Sequence, residues 1–228
     1  MGSEMCIRDS NRAVNAGGAI NTSTQGTTTI DRSLIRMNDA ELGGGVNSEG
    51  TTTISDSTLS GNTARLDGSA ARAENVNGNT NALLEIIRST IADNETTGTI
   101  DRNVIDANDA TVTIQSSLLS RNFAGNGGFA LLDPDIISHG NNLYHNLNFI
   151  FPSPSLDVST DTLTFNPVTA GLDIILQDHG SIEPSVLTYA LLPGSLAIGN
   201  GTGTNIVDIT GANRGLSLIH ISEPTRPY

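Results

Sequence analysis

The chain contains no lysine and no tryptophan, and its one cysteine lies six residues from the start. All eleven of its basic residues are therefore arginine. They stand against 24 acidic residues, for a net charge of −13. That balance argues against a nucleic-acid partner or an anionic membrane surface, both of which are held by clustered positive charge. Aromatic residues make up 4% of the chain and hydrophobic residues 36%, which is sparse filling for a compact globule of 228 residues. No apolar run approaches the roughly 20 residues of a membrane-spanning helix. What is abundant instead is Thr, Ser, Asn, Gly and Asp, a composition suited to an elongated repeat protein with many turns.

The two ends carry an unusual relation. Glu4-Met5-Cys6-Ile7-Arg8-Asp9 and Leu216-Ser217-Leu218-Ile219-His220-Ile221 can be written as opposite strands of one DNA sequence. GAG ATG TGT ATA AGA GAC AG encodes the first and the start of Ser10, and its reverse complement, CTG TCT CTT ATA CAC ATC TC, encodes the second and the start of Ser222. A gene has no reason to carry such an inverted pair, which resembles the transposon-end adapter of sequencing libraries. Residues 1–10 and 216–228 are therefore read as translated adapter and set aside from the fold, as a tag would be. Cys6 and His220 drop out as site candidates with them. The native segment then has no cysteine, so no disulfide or thiolate chemistry is expected of it. On this reading the chain is a fragment, its signal peptide and anchor lie outside it, and its exposed N-terminal coil edge favours aggregation.

The dominant signal is an internal repeat. Thr28–Asn38, Thr52–Asn62, Leu84–Asn94 and Val112–Asn122 align without gaps, at spacings of 24, 32 and 28 residues. They share one column of Ile30, Ile54, Ile86 and Ile114, and a second of Ile35, Leu59, Ile91 and Leu119. A Ser column (Ser33, Ser57, Ser89, Ser117) and an Asn column (Asn38, Asn62, Asn94, Asn122) complete the pattern. The apolar positions alternate with period 2 and shift once, as in two short strands joined at a corner. A period this short, without helical spacing, predicts an all-β right-handed parallel β-helix whose coils stack roughly 4.8 Å apart. Like residues then lie over like: an Ile stack in the core, Ser at the bend and an Asn ladder at a tight turn. Asn suits that place because it tolerates left-handed backbone and its amide can hydrogen-bond along the axis. Residues 11–150 form the coils and 151–215 a less regular β segment. The extra residues near Asn75–Asn81 and Thr96–Thr99 are expected to bulge from one turn. The stretch Ile100–Asn108 also resembles the repeat, and the opposite side of one coil would accommodate it.

The run Gly43-Gly44-Gly45-Val46-Asn47 with Gly50-Thr51-Thr52-Thr53-Ile54-Ser55-Asp56-Ser57-Thr58-Leu59-Ser60-Gly61-Asn62-Thr63-Ala64 resembles the coil consensus of bacterial β-helix surface proteins. These are the choice-of-anchor Q type, akin to polymorphic outer-membrane protein repeats and of pectin-lyase-like fold. Ser138-His139-Gly140-Asn141-Asn142-Leu143 is similar to a late coil of that family. Leu176-Gln177-Asp178-His179-Gly180 and Tyr189–Ile198 are similar to the segment that follows its helix, and Arg214-Gly215 to its close. The chain departs from the pattern at Gly199, where the family usually has Asp, and in the third coil, which lacks the glycine triplet. The resemblance implies an exported, anchored protein located outside the cell or on its surface.

The implied role is a surface stalk, adhesin or glycan-binding module, with carbohydrate or a cell-surface ligand as partner. The alternative is a polysaccharide lyase or glycoside hydrolase, because the pectin-lyase-like fold also hosts these. Such enzymes gather carboxylates on one outer face, as an acid–base pair or around Ca²⁺ with a basic residue. The residues available to such a site are Asp31, Asp56, Asp93, Asp101, Asp106 and Asp109 with Arg32, Arg88 and Arg102, and Arg88, Arg102, Asp106 and Asp109 form the weak site set among them. Asp31 and Ser55 share a column with Ile87 and Gln115, so no acidic column runs along that face. His139 and His145 could face one groove but have no adjacent acidic partner. No residue is assigned a catalytic, cofactor or metal role, and Ca²⁺ is the one cofactor the alternative would call for.

Overall fold

A computed structural model describes residues 7–76, 81–98, 103–125, 131–133, 135–145, 148–149 and 160–164. It also describes five short stretches, 177–178, 187–188, 195–196, 206–207 and 213–214. The described residues form an all-β parallel β-helix. After β1 (Ile7–Asp9), each coil contributes four strands in order. The first coil is β2 (Ile20–Thr22), β3 (Thr27–Asp31), β4 (Leu34–Arg36) and β5 (Asp39–Leu42). The second is β6 (Val46–Ser48), β7 (Thr51–Ser55), β8 (Thr58–Ser60) and β9 (Thr63–Asp67). The third is β10 (Ala71–Glu74), β11 (Leu83–Ile87), β12 (Thr90–Ala92) and β13 (Glu95–Thr96). The fourth is β14 (Asn103–Asn108), β15 (Thr111–Gln115), β16 (Leu118–Ser120) and β17 (Phe123–Ala124). A fifth begins with β18 (Leu131–Leu132), β19 (Ile137–Ser138) and β20 (Leu143–His145). β21 (Asn148–Phe149) and β22 (Thr162–Thr164) extend the first and third sheets, so the stacking continues beyond residue 150. Two antiparallel pairs follow, β23 (Gln177–Asp178) with β24 (Leu187–Thr188) and β25 (Ile206–Val207) with β26 (Asn213–Arg214).

Equivalent strands of successive coils pair in parallel, giving four sheets that run along the axis. The register matches the columns read from sequence. Ile30, Ile54, Ile86 and Ile114 pair one above another in the second sheet. Ile35, Leu59, Ile91 and Leu119 do so in the third, and Tyr144 ends that column. All are buried in the hydrophobic core, where each Ile contributes roughly 1.5–3 kcal/mol by leaving water. The fourth sheet stacks Ala40, Ala64, Thr96 and Ala124, small residues that are all buried. Asn103–Asn108 is the first-sheet strand of the fourth coil, which accounts for its likeness to the repeat.

Corners use single left-handed residues. Arg32, Asp56, Arg88, Ser116 and Asn141 turn the chain from the second sheet to the third, at φ between 44° and 59°. Met37, Gly61, Asp93 and Arg121 turn it from the third to the fourth. For a residue with a side chain that conformation costs on the order of 1–2 kcal/mol. Ion pairs along the axis offset part of the cost: Arg88 bonds both carboxylate oxygens of Asp56, and Arg121 both of Asp93. At the fourth-to-first corner, Gly17, Gly43 and Gly68 take the left-handed place. The third coil thus keeps one glycine of the triplet, followed by Ser69 and Ala70. A Cβ on Gly43 would stand 2.6 Å from the Val46 carbonyl oxygen.

The two insertions leave at different corners, contrary to the single turn expected. The first lies between β10 and β11, from the first sheet to the second. The second lies between β13 and β14, from the fourth to the first. The repeat alignment covered only the second and third sheets, so it had no register with which to separate these corners. Ile7–Asp9, set aside as adapter, pairs with Leu34–Arg36 in the third sheet. A parallel ladder bonds backbone to backbone and accepts any short extended segment.

Candidate functional site

The predicted Asn column is a continuous hydrogen-bonded ladder. The Oδ1 of Asn38 accepts the backbone N–H and the amide of Asn11 at 3.0 and 2.9 Å. Asn62 accepts the same two bonds from Asn38, Asn94 from Asn62, and Asn122 from Asn94. Each Nδ2 also donates to a backbone carbonyl of the preceding coil: Arg8, Ile35, Leu59 and Ile91 in turn. Asn38, Asn62, Asn94 and Asn122 are buried, and the ladder satisfies amide groups that would otherwise be costly there. Asn11, not in the sequence alignment, forms the first rung.

The Ser column is a second ladder, at the other corner. The N–H of Ser33 donates to Ser57 Oγ, that of Ser57 to Ser89, and that of Ser89 to Ser117. Asn142 takes the next place and accepts the Ser117 N–H at 2.9 Å.

The weak site set on Arg88, Arg102, Asp106 and Asp109 is not gathered into one place. Arg88 sits at the second-to-third corner, bound to Asp56, with Asp31 the further nearby charge. The Asp56 hydrogen bond, reinforced by its charge, holds the guanidinium pKa above its ordinary value against the effect of burial. Asp106 lies on the first sheet. Asp109 is exposed at the next corner, where its carbonyl accepts from the Asn75 amide. Arg102 and Asp101 lie outside the described residues. His139 is exposed beyond β19 whereas His145 is buried, so the two share no open groove. His145 Nδ1 is 2.8 Å from Ser120 Oγ. Burial, helped by the Arg121 charge, pushes the imidazole pKa down. Among the described residues, no three His, Cys, Asp or Glu side chains are placed to hold a metal ion.

The densest titratable cluster centres instead on Arg72, which sequence reasoning passed over. In the first sheet Asn21, Asn47, Arg72 and Asp106 pair one above another. They alternate with Val46, Ala71 and Ile105 of the core, so they face outward. Asn47, Arg72 and Asp106 are nevertheless buried. Arg72 donates to Glu74 at 2.6 Å and to Asp106 at 3.1 Å, with Asn47 at 3.4 Å. The Asn103 amide spans Asp67 and Asp106, and Asp133 hydrogen-bonds Asp106 from the end of β18. The Arg72 hydrogen bond draws the Glu74 carboxyl below its ordinary range against the opposing effect of burial. Asp106 moves the other way, to about 7, through burial first and then the charge of Asp67 and the bond with Asp133. Glu74 is thus the closer carboxylate partner of Arg72, with Asp106 the second. A signal did exist in the sequence: Val46-Asn47, Ala71-Arg72 and Ile105-Asp106 place Arg directly over Asp once the first sheet is put in register.

No protein-family model matches the chain, and searches of curated proteins and of solved structures return no significant match. The fold assignment therefore stands on the register and ladders above.

Proposed function

We propose that the chain is a segment of an exported bacterial surface stalk that binds glycan on the outer face of its second sheet. The supporting observation is the form of that face. Thr27 and Thr29, Thr51 and Thr53, and Thr111 and Thr113 project outward from three coils, with Ser55 and Gln115 alongside. All are exposed or half-exposed, whereas outward residues of the third sheet such as Thr90, Leu118 and His145 are buried. The result is an array of hydroxyl groups roughly 4.8 Å apart between the first two coils and 6.7 Å apart along a strand, separated from the Thr pair of the fourth coil by Leu83, Glu85 and Ile87 of the third. A polymer with regularly spaced hydroxyls matches such an array, and an axially hydrogen-bonded solenoid keeps it rigid. The likeness of Gly43–Ala64 to choice-of-anchor Q coils supports a place on the cell surface.

The test is binding of the chain to a panel of immobilised neutral and acidic polysaccharides. Binding to at least one, lost in Thr29→Arg/Thr53→Arg with the circular dichroism spectrum unchanged, is the expected outcome. Failure to bind any polysaccharide, or binding unaffected by the double substitution, overturns the reading.

A further inference from the structure

The outer face of the second sheet changes character at its third coil. Thr51 and Thr53 of the second coil and Thr111 and Thr113 of the fourth flank Leu83, Glu85 and Ile87 of the third. A carboxylate between two aliphatic side chains thus interrupts the hydroxyl rows, and all three side chains are half-exposed to solvent. The Thr53 hydroxyl donates to Glu85 Oε2 at 3.2 Å, which ties the carboxylate to the surface of the sheet. One coil earlier, Ser55 Oγ donates to Asp31 Oδ1 at 2.9 Å. A carboxylate has roughly four lone-pair sites, so one bond from Thr53 leaves Glu85 with capacity to accept more.

The cations beside this face already have partners. Arg88 gives two bonds to Asp56, at 2.8 and 2.6 Å, and Arg32 pairs with Asp31 at 2.8 Å. Three carboxylates, Asp31, Asp56 and Glu85, thus stand against two guanidiniums, a balance of −1. Glu49 and Asp109, at the corner that bounds the other side of the face, add further negative charge. The whole chain carries −13, so the long-range field has the same sign. A polymer bearing uronate or sulfate groups would set like charge against Glu85 and Asp31, with both nearby cations already matched. An uncharged sugar meets no such opposition. Its hydroxyls can donate to Glu85 and bond the threonines, and its ring C–H groups can cover Leu83 and Ile87. Given the glycan binding proposed for this face, we infer that its ligand is a neutral polysaccharide and that Glu85 sets this choice.

The test is binding of the full chain to immobilised β-glucan, mannan and xyloglucan at low salt, compared with polygalacturonate and alginate. At least one neutral polymer should bind about tenfold or more tighter than either acidic one. Glu85→Gln keeps the shape and a hydrogen-bonding group but removes the charge. It should weaken the neutral complex by about 3- to 10-fold and strengthen binding of the acidic polymers by a similar factor. A loosened fold would lower both affinities together, so opposite shifts isolate the role of Glu85 in specificity. Glu95→Gln, at an exposed position on the fourth sheet, makes the same change in net charge and should leave the ratio unaltered. Should Glu85→Gln fail to fold, the salt dependence of the unsubstituted chain still decides. Screening should raise its affinity for the acidic polymers and leave the neutral complex within about twofold. Equal or tighter binding of an acidic polymer, or a ratio unchanged in Glu85→Gln or shifted as far by Glu95→Gln, overturns the role given to Glu85 and leaves glycan binding itself standing. The same holds for acidic-polymer binding that falls as salt rises. Binding to none of the five polymers overturns both.

Discussion

Asn94→Ala removes one rung of the ladder and should cost about 3–5 kcal/mol. In the native chain the Asn94 Oδ1 accepts two bonds, from the Asn62 backbone N–H at 3.0 Å and its amide at 2.9 Å. The Asn94 Nδ2 is within 3.0 to 3.1 Å of three acceptors, the Leu59 and Ala92 carbonyls and Asn122 Oδ1. Asn94, Asn62 and Asn122 are all 0% exposed, so water does not readily replace what is lost. A buried hydrogen bond contributes about 0.5–1.5 kcal/mol net, and leaving a buried partner unmade costs about 1–3 kcal/mol. The five bonds are not independent, because one amide nitrogen serves three acceptors. That places the expected total near the middle of the summed range. Global unfolding is a blunt readout here, since a solenoid's coils open partly independently. The better assay is native-state hydrogen exchange at the Asn62 N–H, which points at the deleted oxygen, with Thr58 N–H as a comparison. A fall in opening free energy of 3 kcal/mol or more at Asn62 supports the ladder. A change under about 1 kcal/mol at both sites would show that the column is decorative and the reasoning wrong.

Other consequences are as concrete. Arg72→Ala should destabilise by about 3–5 kcal/mol, measured by urea titration at pH 7, because it leaves buried Asp106 and half-buried Glu74 without their shared cation. Ile86→Ala, in the middle of the core stack, should cost about 2–5 kcal/mol in the same assay. Arg88→Ala should cost no more than about 1 kcal/mol, since its pair with Asp56 is partly solvated, at 30% and 12% side-chain exposure. His145 has a folded pKa below its ordinary value. Its contribution is therefore present above pH 6.5 and lost as pH falls below it, so His145→Gln should weaken the acid-side drop in melting temperature between pH 6.5 and 5.

Legibility followed the repeat alignment closely. The Ile, Ser and Asn columns were visible because the residue type is kept over four coils and each position has one job: fill the core, bridge a corner, bond along the axis. The first sheet was not visible, since its strands read Ile-Asn, Val-Asn, Ala-Arg and Ile-Asp and keep only the inward residue apolar. Outward positions there vary from coil to coil, and Arg72 and Asp106 make sense only as a pair from neighbouring coils. The Ser column's continuation into Asn142 was missed because the fifth coil reaches its corner by way of Gly140, and Asn141 there takes the left-handed place held by Ser116 one coil earlier.

The central claim is that neighbouring coils stack in parallel with a fixed register, and disulfide trapping tests it most directly. With Cys6 replaced by Ser, Thr53→Cys/Glu85→Cys joins two residues 32 apart in sequence that face each other on the second sheet. Their Cα atoms should stand about 4.8 Å apart, within the roughly 4.4–6.8 Å range of a disulfide. Thr29→Cys/Glu85→Cys spans two coils, about 9.6 Å, and should not close. Ready oxidation of the first pair and not the second is the predicted result. Failure of the first with closure of the second would contradict the register, and with it the ladders and the fold built on them.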